Sequence, residues 1–333
     1  MLREDGSLAQ TGFARALLPV YDRRDIKAAG FRIKEWDYYL ITCGDFGVAL
    51  TIDDNSYMGM TSASFLDFGS RSEKTVSKIV PFTNGRVGLP ASSGKGDTCF
   101  RRGNFDFAFR HESGGRRLTA HMDDFDAGAP FEANIRLAEE PRDSMVIATP
   151  FGGDKKAFYF NQKIIGMRAS GWVEYDGVRR ELPEDAFGLL DWGRGVWTYD
   201  NVWYWGAGQG LVDGHVFGFN IGYGFGDTSA ASENMLFYDG TAHKLDRLTF
   251  NIPRTQDGRD DYMRPWTFTS SDGRFEMDFV PILDRSARTS ALVILSDQHQ
   301  VFGRFTGRAV LDDGKAVEIK DFLGFAEKVH NKW

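Results

Sequence analysis

Cysteine, proline and long apolar runs are all scarce in this chain. Its 333 residues hold two cysteines, Cys43 and Cys99, too few and too far apart for a disulfide framework or a CxxC metal site, so two free thiols in a reducing compartment are expected. The six histidines (111, 121, 215, 243, 299 and 330) form neither HxH nor HExxH, so no metal site is signalled. The opening residues Met1-Leu2-Arg3-Glu4-Asp5 lack the apolar region of a signal peptide. No run of eighteen apolar residues offers a membrane span, and no Asn-x-Ser/Thr sequon occurs. Cytoplasmic localisation is the expectation. Clusters of basic residues are missing too: the pairs Arg23-Arg24, Arg101-Arg102, Arg116-Arg117 and Arg179-Arg180 are scattered, and the net charge of −7 disfavours nucleic-acid binding.

Nucleotide signatures fail on inspection. Gly94-Lys95 sits at the wrong spacing for a phosphate loop and lacks the following Ser or Thr. The glycine-rich segments at Gly206-Gly210 and Gly222-Gly226 are not in a βαβ setting. No Gly-x-Ser-x-Gly elbow is present. No cofactor is therefore expected.

Helical periodicity over twelve residues is nearly absent, whereas glycine (38) and phenylalanine (28) are plentiful against ten prolines. Phe105, Phe107 and Phe109 alternate with polar or small residues, a period of two. Five Asp-Gly pairs, at 176, 213, 239, 272 and 313, mark hairpin turns in the second half. These features predict an all-β protein of antiparallel meanders in two barrel- or sandwich-like halves, 1–150 and 151–333, with few short helices, one of them near Asp22 to Ala29.

Chemistry concentrates between Asp191 and Trp205. Four of the eight tryptophans, Trp192, Trp197, Trp203 and Trp205, lie there with Tyr199, two carboxylates, one guanidinium and close-approach glycines. Such a mix suits a pocket that sandwiches an apolar or aromatic ligand, and equally a tryptophan-rich core with an ion pair. Asp191 is the candidate acid, its pKa raised by flanking rings and lowered by Arg194 three residues on. On the strand after Asp213-Gly214, Asn220 is the one polar side chain on a glycine-lined face. Glu233 and Asn234 begin a strand and can point into a barrel mouth. His299 reads as isolated, and Glu327 as part of a terminal amphipathic segment.

These residues also carry a resemblance. Asp191-Trp192-Gly193-Arg194-Gly195 with Trp203-Tyr204-Trp205, Gly218-Phe219-Asn220 to Glu233-Asn234, Pro265-Trp266, His299-Gln300-Val301-Phe302-Gly303 and Gly324-Phe325-Ala326-Glu327 are similar to an uncharacterised bacterial family of domains of unknown function. The order of Asp-Trp, Trp-x-Trp and a Gly/Asn strand more distantly resembles the two-barrel lipocalin-like (calycin) superfamily of carotenoid hydratases, AttH-like proteins and tocopherol cyclases. The resemblance implies two tandem lipocalin-like barrels and a hydrophobic ligand, in some members protonated by an aspartate without a cofactor. Trp192 stands where the hydratases have histidine, a departure from their signature.

The functional expectation is a cofactor-free lyase, hydratase or isomerase working on a hydrophobic or aromatic small molecule. Asp191, Arg194 and Glu233 would be its catalytic groups, and Trp192, Trp197, Tyr199, Trp203, Trp205, Asn220, Asn234, Trp266 and His299 its ligand contacts. The rival expectations are a non-catalytic lipid or isoprenoid carrier, and a structural protein whose barrels are filled by their own aromatics.

Overall fold

The chain was analysed as a computed structural model that describes residues 1–291 and 294–333. Strand accounts for 65% of the residues and helix for 2%, so the fold is all-β. In chain order the first strands are β1 (Gly12–Ala14), β2 (Ile33–Thr42), β3 (Phe46–Asp54), β4 (Met58–Asp67), β5 (Ser72–Pro81), β6 (Thr98–Arg102) and β7 (Phe105–Glu112). There follow β8 (Gly115–Asp126), β9 (Ala129–Ala138), β10 (Met145–Phe151), β11 (Asp154–Tyr175), β12 (Val178–Glu181) and β13 (Phe187–Val196). The remaining strands are β14 (Asp200–Val212), β15 (His215–Tyr223), β16 (Met235–Tyr238), β17 (Thr241–Lys244), β18 (Leu248–Asn251), β19 (Trp266–Ser270), β20 (Phe275–Ala291), β21 (Ile294–Val310) and β22 (Ala316–Lys332).

Strands β1 to β13 form a 13-stranded sheet with the central order β5-β4-β3-β2-β13-β11-β9-β8-β7-β6. Strands β14 to β22 form a 9-stranded sheet in the order β17-β16-β15-β14-β22-β21-β20-β19-β18. Both are antiparallel throughout and curl into lipocalin-like half-barrels. Position 150 falls inside the first sheet, because β11 and β13 pair with β9 and β2. Sheet membership changes between Val196 and Asp200, and we propose the boundary between the halves there.

The Asp-Gly pairs at 176, 213, 239, 272 and 313 each sit between paired strands. At three of them both residues have positive φ (55° and 66° at Asp176-Gly177, 51° and 81° at Asp213-Gly214, 47° and 74° at Asp239-Gly240), the backbone that a tight hairpin matched to strand twist requires. The helix expected near 22–29 is a 3-10 turn, Arg23–Asp25, whose first turn is capped by the Asp22 carboxylate. Extended backbone resumes at Ile26, while Arg23 and Tyr21 are tied to Glu35 on β2.

Three apolar cores follow from period-two alternation. One, with Phe107, Phe131, Ile135 and Trp192, fills the first sheet. Another, with Phe219, Phe268, Phe279 and Phe305, fills the second. The third lies between the sheets and holds Tyr38, Leu40, Tyr159, Trp197, Trp205, Phe225, Phe302 and Phe325. Full burial of such rings contributes roughly 1.5–3 kcal/mol each, so the seam between the sheets is itself a core.

Candidate functional site between the sheets

Strand β13 lies between β2 and β11 and is buried along its whole length. Successive side chains on a strand point to opposite faces. Trp192 and Arg194 therefore enter the first sheet's core, while Asp191 faces the seam. Asp191 stands directly opposite Tyr38 of β2 and Lys163 of β11. Its Oδ1 takes the Lys163 ammonium at 2.8 Å and the Asn161 amide at 2.6 Å. The Lys163 Nζ also lies 3.7 Å from the centre of the Trp205 ring. Arg194, with a fully buried side chain, pairs instead with Asp37 at 3.0 Å and donates to the Pro90 carbonyl. The expected Asp191–Arg194 pair does not form, because an odd spacing along a strand separates the two residues by the thickness of the sheet.

The second sheet answers with β14, β22 and β21. Trp205, Glu327 and Gln300 are successive cross-strand partners. Glu327 accepts hydrogen bonds from Trp203 Nε1 at 3.0 Å and Gln300 Nε2 at 3.1 Å. Trp205 Nε1 donates to Asn220 Oδ1 at 2.7 Å, and the Asn220 amide donates to the Glu233 main-chain oxygen at 2.9 Å. Glu233 can lie there because Gly222 has no side chain: a Cβ at that position would come within 2.8 Å of Glu233 Oε1. Gly193 serves the same end across the seam, its bare Cα accommodating the Trp36 ring.

Asp191, Glu233 and Glu327 are all buried, and the Lys163 ammonium acts on each of them, with Lys244 acting on Glu233 as well. Burial pushes the Glu327 carboxyl up from 4.5 to about 7, with Asp191 adding repulsion against the relief from Trp203 and Lys163. Burial likewise raises Glu233, where Lys163 opposes the shift. Tyr38 is pushed up to about 12 by burial, and Tyr159 rises through burial and the nearby carboxylates. A carboxyl that keeps its proton near neutrality, beside others tied to an ammonium, is suited to acid–base work. Around this cluster the aromatic walls are Trp36 against Trp197 (5.5 Å between ring centres), Trp197 against Phe225 (4.7 Å), Trp203 against Phe225 (5.0 Å) and Trp205 against Phe325 (4.8 Å).

The structure thus brings together Asp191, Glu233, Asn220, Trp197, Trp203 and Trp205. It places the other expected residues elsewhere. Trp192 lies in the first core under the Arg194 guanidinium, 4.3 Å from its ring. Trp266 packs on Phe279 in the second core. His299 pairs with Asp284 at 2.7 Å and stacks on Tyr262, on the face of β21 opposite Gln300. Asn234 is spent on main-chain groups, accepting from Gly222 and donating to Asp246. Tyr199 is 53% exposed. Lys163, Glu327, Gln300, Tyr38 and Tyr159 were missed by sequence reasoning. For Glu327 the signal was present: it shares a strand face with Leu323 and Phe325, a buried face that makes a carboxylate conspicuous.

Two small cavities of about 10 Å³ each, room for a single water, lie nearby. One borders Trp192, Asp37 and His111 in the first sheet. The other borders Leu40, Gln209 and Phe302 in the seam. The tryptophans of the seam pack on one another, Trp197 lying against both Trp36 and Trp203. Among the described residues no group of three or more His, Cys, Asp or Glu is disposed to hold a metal ion, and no helix is long and apolar enough to cross a membrane.

Two curled antiparallel sheets packed through an aromatic seam define a lipocalin-like two-barrel protein. Solved structures share this architecture. An AttH-like protein of Nitrosomonas europaea is 15% identical with a TM-score of 0.53, the match covering 94% of this chain and 99% of that one. CghA with Sch210972 is 12% identical with a TM-score of 0.50, covering 98% and 97%. Kievitone hydratase of Nectria haematococca is 13% identical with a TM-score of 0.49, covering 100% and 98%. The chain belongs to the family described as Domain of unknown function (DUF2804), which matches residues 1–333. No curated protein matches it.

Proposed function

We propose that the seam binds an apolar or aromatic small molecule and transfers a proton to it without a cofactor, as a hydratase-type lyase or an isomerase. The observation that carries this reading is the buried cluster of Asp191, Glu233 and Glu327 about the Lys163 ammonium, walled by tryptophans. Glu327 is the proton donor. Its two hydrogen bonds, from Trp203 and Gln300, aim the carboxyl along the seam. Asp191, held by Lys163 and Asn161, is a fixed negative charge for the cation that protonation creates on carbon, and the Trp203 and Trp205 faces favour the same charge. Attack of water on that cation gives a hydrated product and returns one proton to Glu327. Loss of a proton from the neighbouring carbon to Glu233 gives an isomer instead, and transfer of that proton from Glu233 to Glu327 restores both groups. Arg194, on the far side of β13, has no part in these steps. Ligand entry requires the facing rings of the seam to part. The fold of CghA, solved with Sch210972, supports a small-molecule role for this architecture.

The test is incubation of a panel of aromatic and isoprenoid alkenes with the protein in D₂O, followed by mass spectrometry of the recovered compounds. Deuterium or water incorporated by the native protein and lost in Glu327→Gln supports the reading. Binding without incorporation in any member of a broad panel sinks it and leaves a carrier.

A further inference from the structure

The seam has a second polar end. Lys34 shares the face of β2 with Trp36 and Tyr38, roughly 13 Å along the strand from Tyr38. It is 2% exposed, and its Nζ donates to the carbonyls of Phe31 at 3.3 Å and Asn55 at 3.2 Å. Among the described residues, one N–H of the ammonium is left without a hydrogen-bond acceptor. Nζ lies 4.1 Å from the centre of the Tyr57 ring and 6.0 Å from that of Trp333. Three further buried donors here have no hydrogen-bond partner among the described residues: the Tyr57 hydroxyl and the indole N–H groups of Trp197 and Trp333. Trp197 is itself 8% exposed and stacks on Trp333 with 6.3 Å between ring centres. Its Nε1 stands 3.4 Å from where a Cβ of Gly195 would lie, and Gly195 is the cross-strand partner of Lys34. Buried donors without acceptors cost stability, so such a group needs an explanation. Burial drives Lys34 down to about 7 and Asp53 beside it up to about 8, which weakens the charges that would otherwise repel or attract a ligand strongly.

We propose that Lys34, Tyr57, Trp197 and Trp333 dock the acceptor oxygen of a ligand head group, a carbonyl or carboxylate on an otherwise apolar chain. The body of that ligand runs past Trp36 and Trp197 toward Glu327. This inference rests on the seam being the ligand site, and it adds the substrate class: an apolar molecule with an oxygen acceptor at one end and its reacting bond at the other.

The experiment compares dodecanoic acid, 2-tridecanone and 1-dodecene by quenching of intrinsic tryptophan fluorescence in the full chain. The acid, the ketone or both bind at least about fivefold more tightly than the alkene, the worth of roughly one net hydrogen bond. An advantage for the acid alone marks an anionic head, and one for both a carbonyl. Tyr57→Phe, which deletes only an unpartnered hydroxyl, and Lys34→Met each reduce that advantage and leave 1-dodecene binding unchanged. Equal affinity for all three compounds, or an advantage that survives both variants, overturns the docking site while the seam reading stands. Failure of all three to quench overturns both.

Discussion

Asp191 and Arg194 stand three residues apart on one strand and serve opposite faces of the first sheet. Asp191 meets Lys163 at 2.8 Å in the seam, and Arg194 meets Asp37 at 3.0 Å inside the first sheet. The two pairs can therefore be perturbed independently. Arg194→Met leaves Asp37 buried without its cation and is expected to destabilise the protein by about 3–5 kcal/mol. Urea denaturation checks this, with the double variant Asp37→Leu/Arg194→Met recovering much of the loss. A single variant as stable as the native chain contradicts the burial of that pair.

Stability should carry the mark of Glu327. Its pKa is 4.5 in the reference state and about 7 in the fold. The folded state thus holds the proton more tightly, and the stabilisation this provides is complete below about pH 4.5. It is lost as pH rises through about 7, on the order of 3 kcal/mol in all. Chemical denaturation of the native protein and Glu327→Gln from pH 4 to 8 should show the native protein losing stability relative to the variant across that window. Parallel curves would place the buried proton elsewhere.

Gly193→Ala tests the packing that shapes the seam. A Cβ there would lie 1.9 Å from the Trp36 ring, so the indole must leave its place against Trp197. A loss of roughly 1–3 kcal/mol is expected, with a changed near-ultraviolet circular dichroism spectrum. An unchanged spectrum at native stability would show that Trp36 does not lie over Gly193.

The tryptophans should respond unequally to ligand. Trp203→Phe and Trp205→Phe are expected to diminish the saturable quenching produced by an apolar compound. Trp266→Phe, in the second sheet's own core, should lower total emission and leave the amplitude of the quenching intact. Quenching that depends on Trp266 would move the binding site out of the seam.

Much of the fold was legible because period-two alternation and Asp-Gly turns are local signals. Phe105, Phe107 and Phe109 alternate as read, and all three line the first core. On the glycine-lined face of β15, Gly218 lies against Ile165 and Gly222 against Glu233. Alternation says which residues share a face, though, and not which strand lies beside it. The pairing of β2 with β13 joins segments about 150 residues apart, and only that pairing sets Tyr38, Asp191 and Lys163 in one row. Reading Asp191 and Arg194 as partners treated sequence proximity as spatial proximity, which a strand denies to an odd spacing. Trp266 went astray for a different reason: an aromatic residue advertises burial, and the chain has three cores to bury it in.

The central claim is that a carboxyl in the seam keeps its proton to near neutrality and meets the bound ligand. Infrared difference spectroscopy of the carboxylic acid carbonyl stretch measures this directly. Beside the raised carboxyls of Asp53 and Glu233, the account predicts a protonated-carboxyl component in the native protein that disappears as pH passes through about 7, is missing in Glu327→Gln, and shifts when an apolar alkene is added. A component titrating near 7 that persists in Glu327→Gln, or one indifferent to every alkene that quenches the seam tryptophans, would contradict it.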